Sequence, residues 1–248
     1  MGMMDATNIF IAAVFVLAGL VKGVIGLGLP TIAMGLLAVV MAPVEAAAIL
    51  ILPSLLTNVW QMIAGPSLRS VFLRLWPMMV GVCIGTWAGA GLMAGTSARY
   101  GTLLLGAALC LYAVTGLASV RFSVPVRHEA LAGPLTGAVT GLISAATGVF
   151  VIPAVPYLQA IGLEKEDLVQ ALGLSFTVST LALAVNVAMV GGLNVSMAGA
   201  TSAALCCACA GMAIGQRVRV RLSPSVFRRW FFAGLLLLGL YLAARSMV

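Results

Sequence analysis

The residues in this chain that could do chemistry are few, and their types favour binding over catalysis. The single histidine, His128, sits between Arg121 and Glu129 with no cysteine or carboxylate cluster beside it. One histidine cannot build a His-rich metal site, so a solvated loop residue is expected there. Glu164, Glu166 and Asp167 flank Lys165 in one contiguous run. They read as the water-facing start of a helix, where carboxylates complement the N-terminal end of the helix dipole. No Ser/His/Asp arrangement and no phosphate loop occurs, so the chain is read as a non-enzyme with no metal and no cofactor. Cys83, Cys110, Cys206, Cys207 and Cys209 all lie in apolar segments. Cys206 and Cys209 share a helix face, which leaves a membrane thiol-redox carrier as an alternative. No nearby charge would lower a thiol pKa, and small side chains packing at helix contacts are the preferred reading.

The other polar residues lie inside apolar runs. Lys22 precedes a glycine break, Gly23-Val-Ile-Gly26-Leu-Gly28-Leu-Pro30, followed by Thr31. A lysine at membrane depth costs about 2.5–3.5 kcal/mol and needs a compensating partner. It either attracts an anionic ligand or snorkels to the interface, and no membrane-embedded acid stands by to pair with it. A second break reads Gly141-Leu-Ile-Ser-Ala-Ala-Thr147-Gly148-Val149-Phe150-Val-Ile-Pro153. Glycine lets backbone approach a ligand closely. Helices starting after Gly28 and after Gly148 would aim two N-termini, each with about half a positive charge, at a small oxyanion. Close helix packing is the competing use of such glycines. Ser54, Thr57, Asn58 and Gln61 follow i, i+3, i+4, i+7 spacing and form one stripe. Ser175, Ser179 and Asn186 share another face, with Thr177 and Thr180 beside it. Such residues often hydrogen-bond between membrane helices, and they can also donate to a ligand's oxygens. The candidate binding residues are Lys22, Gly26, Gly28, Pro30, Thr31, Asn58, Gln61, Thr147, Gly148, Val149, Phe150, Ser175 and Ser179.

Composition dictates the elements that must position these residues. Of 248 residues 62% are hydrophobic and 8% charged, and the mean hydropathy is +1.18. A soluble domain would carry roughly a quarter charged residues. The chain is therefore read as an all-α polytopic integral membrane protein whose main partner is the lipid bilayer. Its 13 Lys and Arg against 6 Asp and Glu read as topology signals, not as a nucleic-acid footprint. No basic residue precedes the first apolar run, so a mature first span is expected and not a cleaved signal peptide. With about 20 apolar residues per crossing, clear spans fall near 44–64, 71–94, 99–118, 166–190, 195–213 and 228–246. Residues 9–41 and 131–161 are too long for one helix, and both are broken near the middle.

The two long segments correspond, which predicts two homologous halves, 1–120 and 121–248, each with a broken or re-entrant first helix and three further transmembrane helices. Matching interrupted helices are the sequence pointer to a transporter site. If both broken segments crossed fully, the basic residues would divide almost evenly between the two sides. If each turns and leaves on its own side, Arg69, Arg74, Arg121, Arg127, Lys165, Arg217, Arg219, Arg221, Arg228 and Arg229 share one face. Only Arg99 and Arg245 then lie opposite. The positive-inside rule favours this second arrangement, which makes the halves inverted repeats and both termini non-cytoplasmic. Small-residue faces along 81–91 and 191–203 could support a homodimer, although the same pattern serves packing within one chain.

Thr147-Gly148-Val-Phe-Val-Ile-Pro153-Ala-Val-Pro156-Tyr, followed by Gln170-Ala-Leu-Gly-Leu-Ser175-Phe-Thr177, resembles the TauE/SafE sulfite exporter family of permeases. The resemblance extends over nearly the whole chain and is most specific between Thr140 and Asn186. The family usually carries a fuller run of glycines, where this sequence has Val149 and Phe150. The resemblance implies a bacterial inner-membrane location and a small anionic substrate such as sulfite, sulfoacetate or another sulfonate. With the residues above, it predicts a secondary transporter working by alternating access around a midplane site. A membrane partner protein without transport is the remaining alternative.

Overall fold

The computed structural model describes residues 2–93, 98–118, 123–193, 197–219 and 223–247. They form ten helices: α1 (Gly2–Ile25), α2 (Leu29–Leu37), α3 (Pro43–Ile63), α4 (Leu68–Ala88), α5 (Ala98–Ala118), α6 (Val126–Thr147), α7 (Ala154–Ala160), α8 (Lys165–Met189), α9 (Ala198–Arg219) and α10 (Pro224–Met247). No strand occurs among the described residues. Eight of the helices are long and apolar enough to cross a membrane, and the chain is a multi-pass all-α membrane protein. Large apolar side chains such as Trp60, Trp87, Leu131 and Trp230 are exposed, as befits a molecule whose solvent is lipid.

The breaks lie at the predicted glycines. Gly26 (φ 77°), Gly28 (φ 102°) and Gly148 (φ 71°) adopt left-handed backbone, which a Cβ disfavours. Pro30 occupies the first turn of α2, where its missing N–H has no intrahelical acceptor to lose. The second half departs from expectation. Its short helix begins at Ala154, not directly after Gly148, and residues 149–151 are not helical. The Val-Phe-Val-Ile run is β-branched and aromatic, and Pro153 disfavours helical backbone in the residue before it.

Helix directions follow from the contacts. Gly19 of α1 lies against Ala208 and Gly23 against Met212 of α9, so these two run parallel. Gly81 and Gly85 of α4 and its C-cap Gly89 meet Pro134, Ala138 and Ala145 of α6, also parallel. These α4 glycines, from the face considered for dimerisation, therefore pack inside the chain. By contrast α3 and α8 are antiparallel, with Ser54 beside Thr180 (3.1 Å) and Gln61 beside Val169 (3.0 Å). So are α5 and α10, where Gly106 meets Ala243 and Gly116 meets Phe232. These are the principal pairings, joined by α4 with α8 and α3 with α9. Adding or subtracting five from each helix number returns the same set of pairings.

Both broken segments fold back. In the second half the Val124 N–H donates to the Ala160 carbonyl at 2.9 Å. The Arg74 guanidinium grips Glu129 (2.6 and 2.9 Å) and the Ile161 carbonyl (2.8 Å). The chain thus enters α6 and leaves α7 at one end. In the first half α2 runs alongside α10 in the same sense: Gly28 faces Phe231, Gly35 faces Leu238, and Arg245 donates to the Val39 carbonyl. Helix α9 runs with α1, and the four residues between α9 and α10 cannot retrace a helix of 22 residues. So α10 opposes α9, and α2 returns against α1.

Arg69, Arg74, Arg127 and Lys165 consequently lie at one end of the bundle. Gln170 ties the α3–α4 turn to α8 there, bonding Met62, Gly65 and Ser67. Arg217 and Arg219 lie in the last turn of α9 and Arg228 and Arg229 near the start of α10, beside the end of α1. Arg245 lies at the far end of α10. Arg121 and Arg221 fall outside the described residues, as do 194–196 of the 191–203 face and the side chain of Arg99.

Candidate functional site

Lys22 lies four residues before Gly26, on the last turn of α1. Its side chain points inward and is only 5% exposed, so it does not snorkel. The ammonium donates to Thr57 Oγ1 at 3.1 Å and to Asn58 Oδ1. The Asn58 amide donates to Ser54 Oγ (3.0 Å), and Ser54 pairs with Thr180 Oγ1 (3.1 Å). Thr180 donates in turn to the Phe176 carbonyl at 2.6 Å. Every proton in this chain can be assigned: Lys22 to Asn58 to Ser54 to Thr180 to backbone. Asn58 and Ser54 of the α3 stripe thus carry one hydrogen-bonded path from α1 in the first half of the sequence to α8 in the second.

All partners of the ammonium are neutral. Among the described residues Lys22 is the only charged side chain that is buried. Two of its three N–H groups are engaged by Thr57 and Asn58, and one donor remains. Burying an uncompensated charge is unfavourable, and an anion would relieve it. Four hydroxyls among the described residues are likewise buried without a hydrogen-bond partner: Thr31, Ser144, Ser175 and Ser179. Buried polar groups are normally satisfied, so these four also call for a partner.

The family model for the sulfite exporter TauE/SafE matches residues 11–242. The chain belongs to the TauE/SafE family. No curated protein and no solved structure matches it. Membership makes this a membrane permease of an anion-exporting family, a transporter class and not an enzyme class.

Other residues anticipated for this TauE/SafE protein have their bonding capacity engaged locally. Thr147 donates to the Ile143 carbonyl (2.7 Å) and accepts from the Val149 N–H (3.1 Å), which caps the α6 break. The Gln61 amide nitrogen bonds the Val169 carbonyl. Val149 and Phe150 are fully buried, and the Phe150 ring stacks obliquely on Phe176 at 5.3 Å, forming an apolar wall. Gly26, Gly28, Pro30 and Gly148 shape the breaks, with the Gly26 and Gly148 N–H groups bonded to the Lys22 and Ser144 carbonyls (2.7 and 2.8 Å). Because five residues separate Gly148 from the start of α7, only α2 begins at its glycine break, so the expected pair of opposed helix ends is reduced to one. Asn186 accepts from the Gly91 N–H at 3.3 Å.

A groove of about 340 Å³ runs between α4 and α8, lined by Cys83, Trp87, Val178, Val185 and Met189. It is apolar, opens outward and does not include Lys22. Cys206 and Cys209 are exposed, while α9 turns Ala204, Ala208, Gly211 and Gly215 inward. Two important residues escaped the sequence reading. Gln170 was passed over in the resembling motif, although an amide in an apolar span needs partners. Ser144 lies in the break and is not among the candidate binding residues, although it stands four residues before Gly148 as Lys22 stands four before Gly26.

Proposed function

We propose that this TauE/SafE protein is a secondary transporter for a small organic or sulfur-containing anion. Sulfite is the substrate the family name gives, and sulfonates share its sulfur-oxyanion chemistry. The observation that carries this reading is the buried ammonium of Lys22, held by neutral groups beside a glycine break. Asn58, the unpartnered hydroxyls of Thr31, Ser175 and Ser179, and the N-terminus of α2 supply further donors for ligand oxygens. Gly26, Gly28 and Gly148 let backbone approach, while Val149 and Phe150 exclude water.

The halves 1–120 and 121–248 act as inverted repeats that rock against each other around this site. Support comes from the antiparallel pairing of α3 with α8 and of α5 with α10, each helix opposite its counterpart. The two returning hairpins and the collected basic ends favour a cytoplasmic basic face, in a bacterial inner membrane, with both termini on the other side.

The test is thermal unfolding of purified protein with sulfite, sulfoacetate, taurine, sulfate and small carboxylates, followed by flux into proteoliposomes. A ligand that binds only the folded state raises the midpoint with concentration. Stabilisation and flux by at least one anion is the expected result. No response to any of them would overturn the proposal.

A further inference from the structure

The two halves present equivalent polar positions with unequal charge. Lys22 and Ser144 each precede a left-handed glycine cap by four residues, and each gives its carbonyl to that glycine's N–H. Thr57 and Asn58 are the fifteenth and sixteenth residues of α3, as Ser179 and Thr180 are of α8. In the first half the lysine stem spans to Thr57 and Asn58. In the second half Ser144 is far shorter, and the hydroxyls of Ser144 and Ser179 are both fully buried with no hydrogen-bond partner. The path Asn58–Ser54–Thr180 connects the two places.

We propose that the site selects singly charged oxyanions over doubly charged ones, with Lys22 supplying the one compensating charge and Ser144 acting as the neutral counterpart that sets this limit. The inference rests on the transport reading above and narrows its substrate class. One ammonium and one monoanion leave a neutral complex in a low-dielectric interior. A dianion would leave one negative charge unpaired there, which desolvation opposes. Hydroxyls at Ser144, Ser175 and Ser179 donate to the remaining oxygens without adding charge. Monosulfonates, hydrogensulfite and monocarboxylates fit this balance, whereas sulfate and sulfoacetate do not.

The experiment compares methanesulfonate and acetate with sulfate, sulfoacetate and malonate, using thermal stabilisation and competition on the full-length protein. Wild type is expected to bind the monoanions at least tenfold more tightly. Ser144→Lys places a second cation at the equivalent position and should reverse that preference, while Ser144→Ala should weaken monoanions without gaining dianions. Dianions binding wild type as tightly as monoanions would overturn this inference and leave the transport proposal standing. No anion binding at all would sink the transport proposal itself. If Ser144→Lys does not fold, the wild-type selectivity still decides the matter, because preference for dianions contradicts the charge balance.

Discussion

Lys22 Nζ donates to Thr57 Oγ1 at 3.1 Å, which ties the last turn of α1 to the polar stripe of α3 across 35 residues of sequence. Both groups are buried, and neither faces a carboxylate among the described residues. An unpaired buried charge carries a desolvation cost that an apolar side chain of similar length does not. Lys22→Met is therefore expected to unfold at the same temperature as wild type or higher, while anion affinity falls at least tenfold. Thermal midpoints with and without ligand separate the two effects. Unchanged anion binding in the folded variant would remove Lys22 from the site.

Gly85 has the backbone of Ala138 where a Cβ would stand, whereas a Cβ at Gly234 would meet nothing within 4 Å. Gly85→Val should force α4 away from α6 and cost about 1–3 kcal/mol or more. Gly234→Ala should stabilise by about 0.5–1 kcal/mol, since glycine is the poorer helix former. Unfolding in one detergent measures both, and equal midpoints would contradict the close α4–α6 approach.

The two left-handed caps should respond differently to alanine. At Gly26 an added Cβ has open space, so Gly26→Ala carries only the backbone penalty of about 1–2 kcal/mol. At Gly148 the Cβ would also press on Met34, 2.7 Å from its Cε. Gly148→Ala should be the more destabilising, and Met34→Ala should recover part of that difference. A double-mutant cycle measures the coupling, and strict additivity would exclude the contact.

Topology is open to labelling. In a protein freed of its five cysteines, single cysteines at Arg69, His128 and Glu164 should resist an impermeant thiol reagent added to intact cells. A cysteine at Arg245 should react. Labelling of His128 from outside would reverse the proposed orientation.

Much of this protein was legible before any coordinates. The long spans were readable because a bilayer demands about 20 apolar residues per crossing, and α3, α5 and α8 end within two residues of their expected limits. The breaks were readable because left-handed backbone selects glycine, as at Gly26, Gly28 and Gly148. The start of α7 was not, because β-branched residues before Pro153 compete with helix in a way that apolar content does not reveal. Ser144 and Gln170 were also missed. A hydroxyl or amide looks the same in sequence whether its bonds are made, as for Gln170, or open, as for Ser144.

The sequence alone thus determined the solvent, the helical class and the places where the chain must bend, since composition and backbone sterics act locally. Tertiary structure decided which partners meet. Only packing turned Lys22 inward to Thr57 and Asn58, joined Ser54 to Thr180 across 126 residues, and left Ser144, Ser175 and Ser179 buried without partners. Those relationships depend on which helix faces lie together and in which direction each runs, and hydrophobic pattern within a single span carries neither.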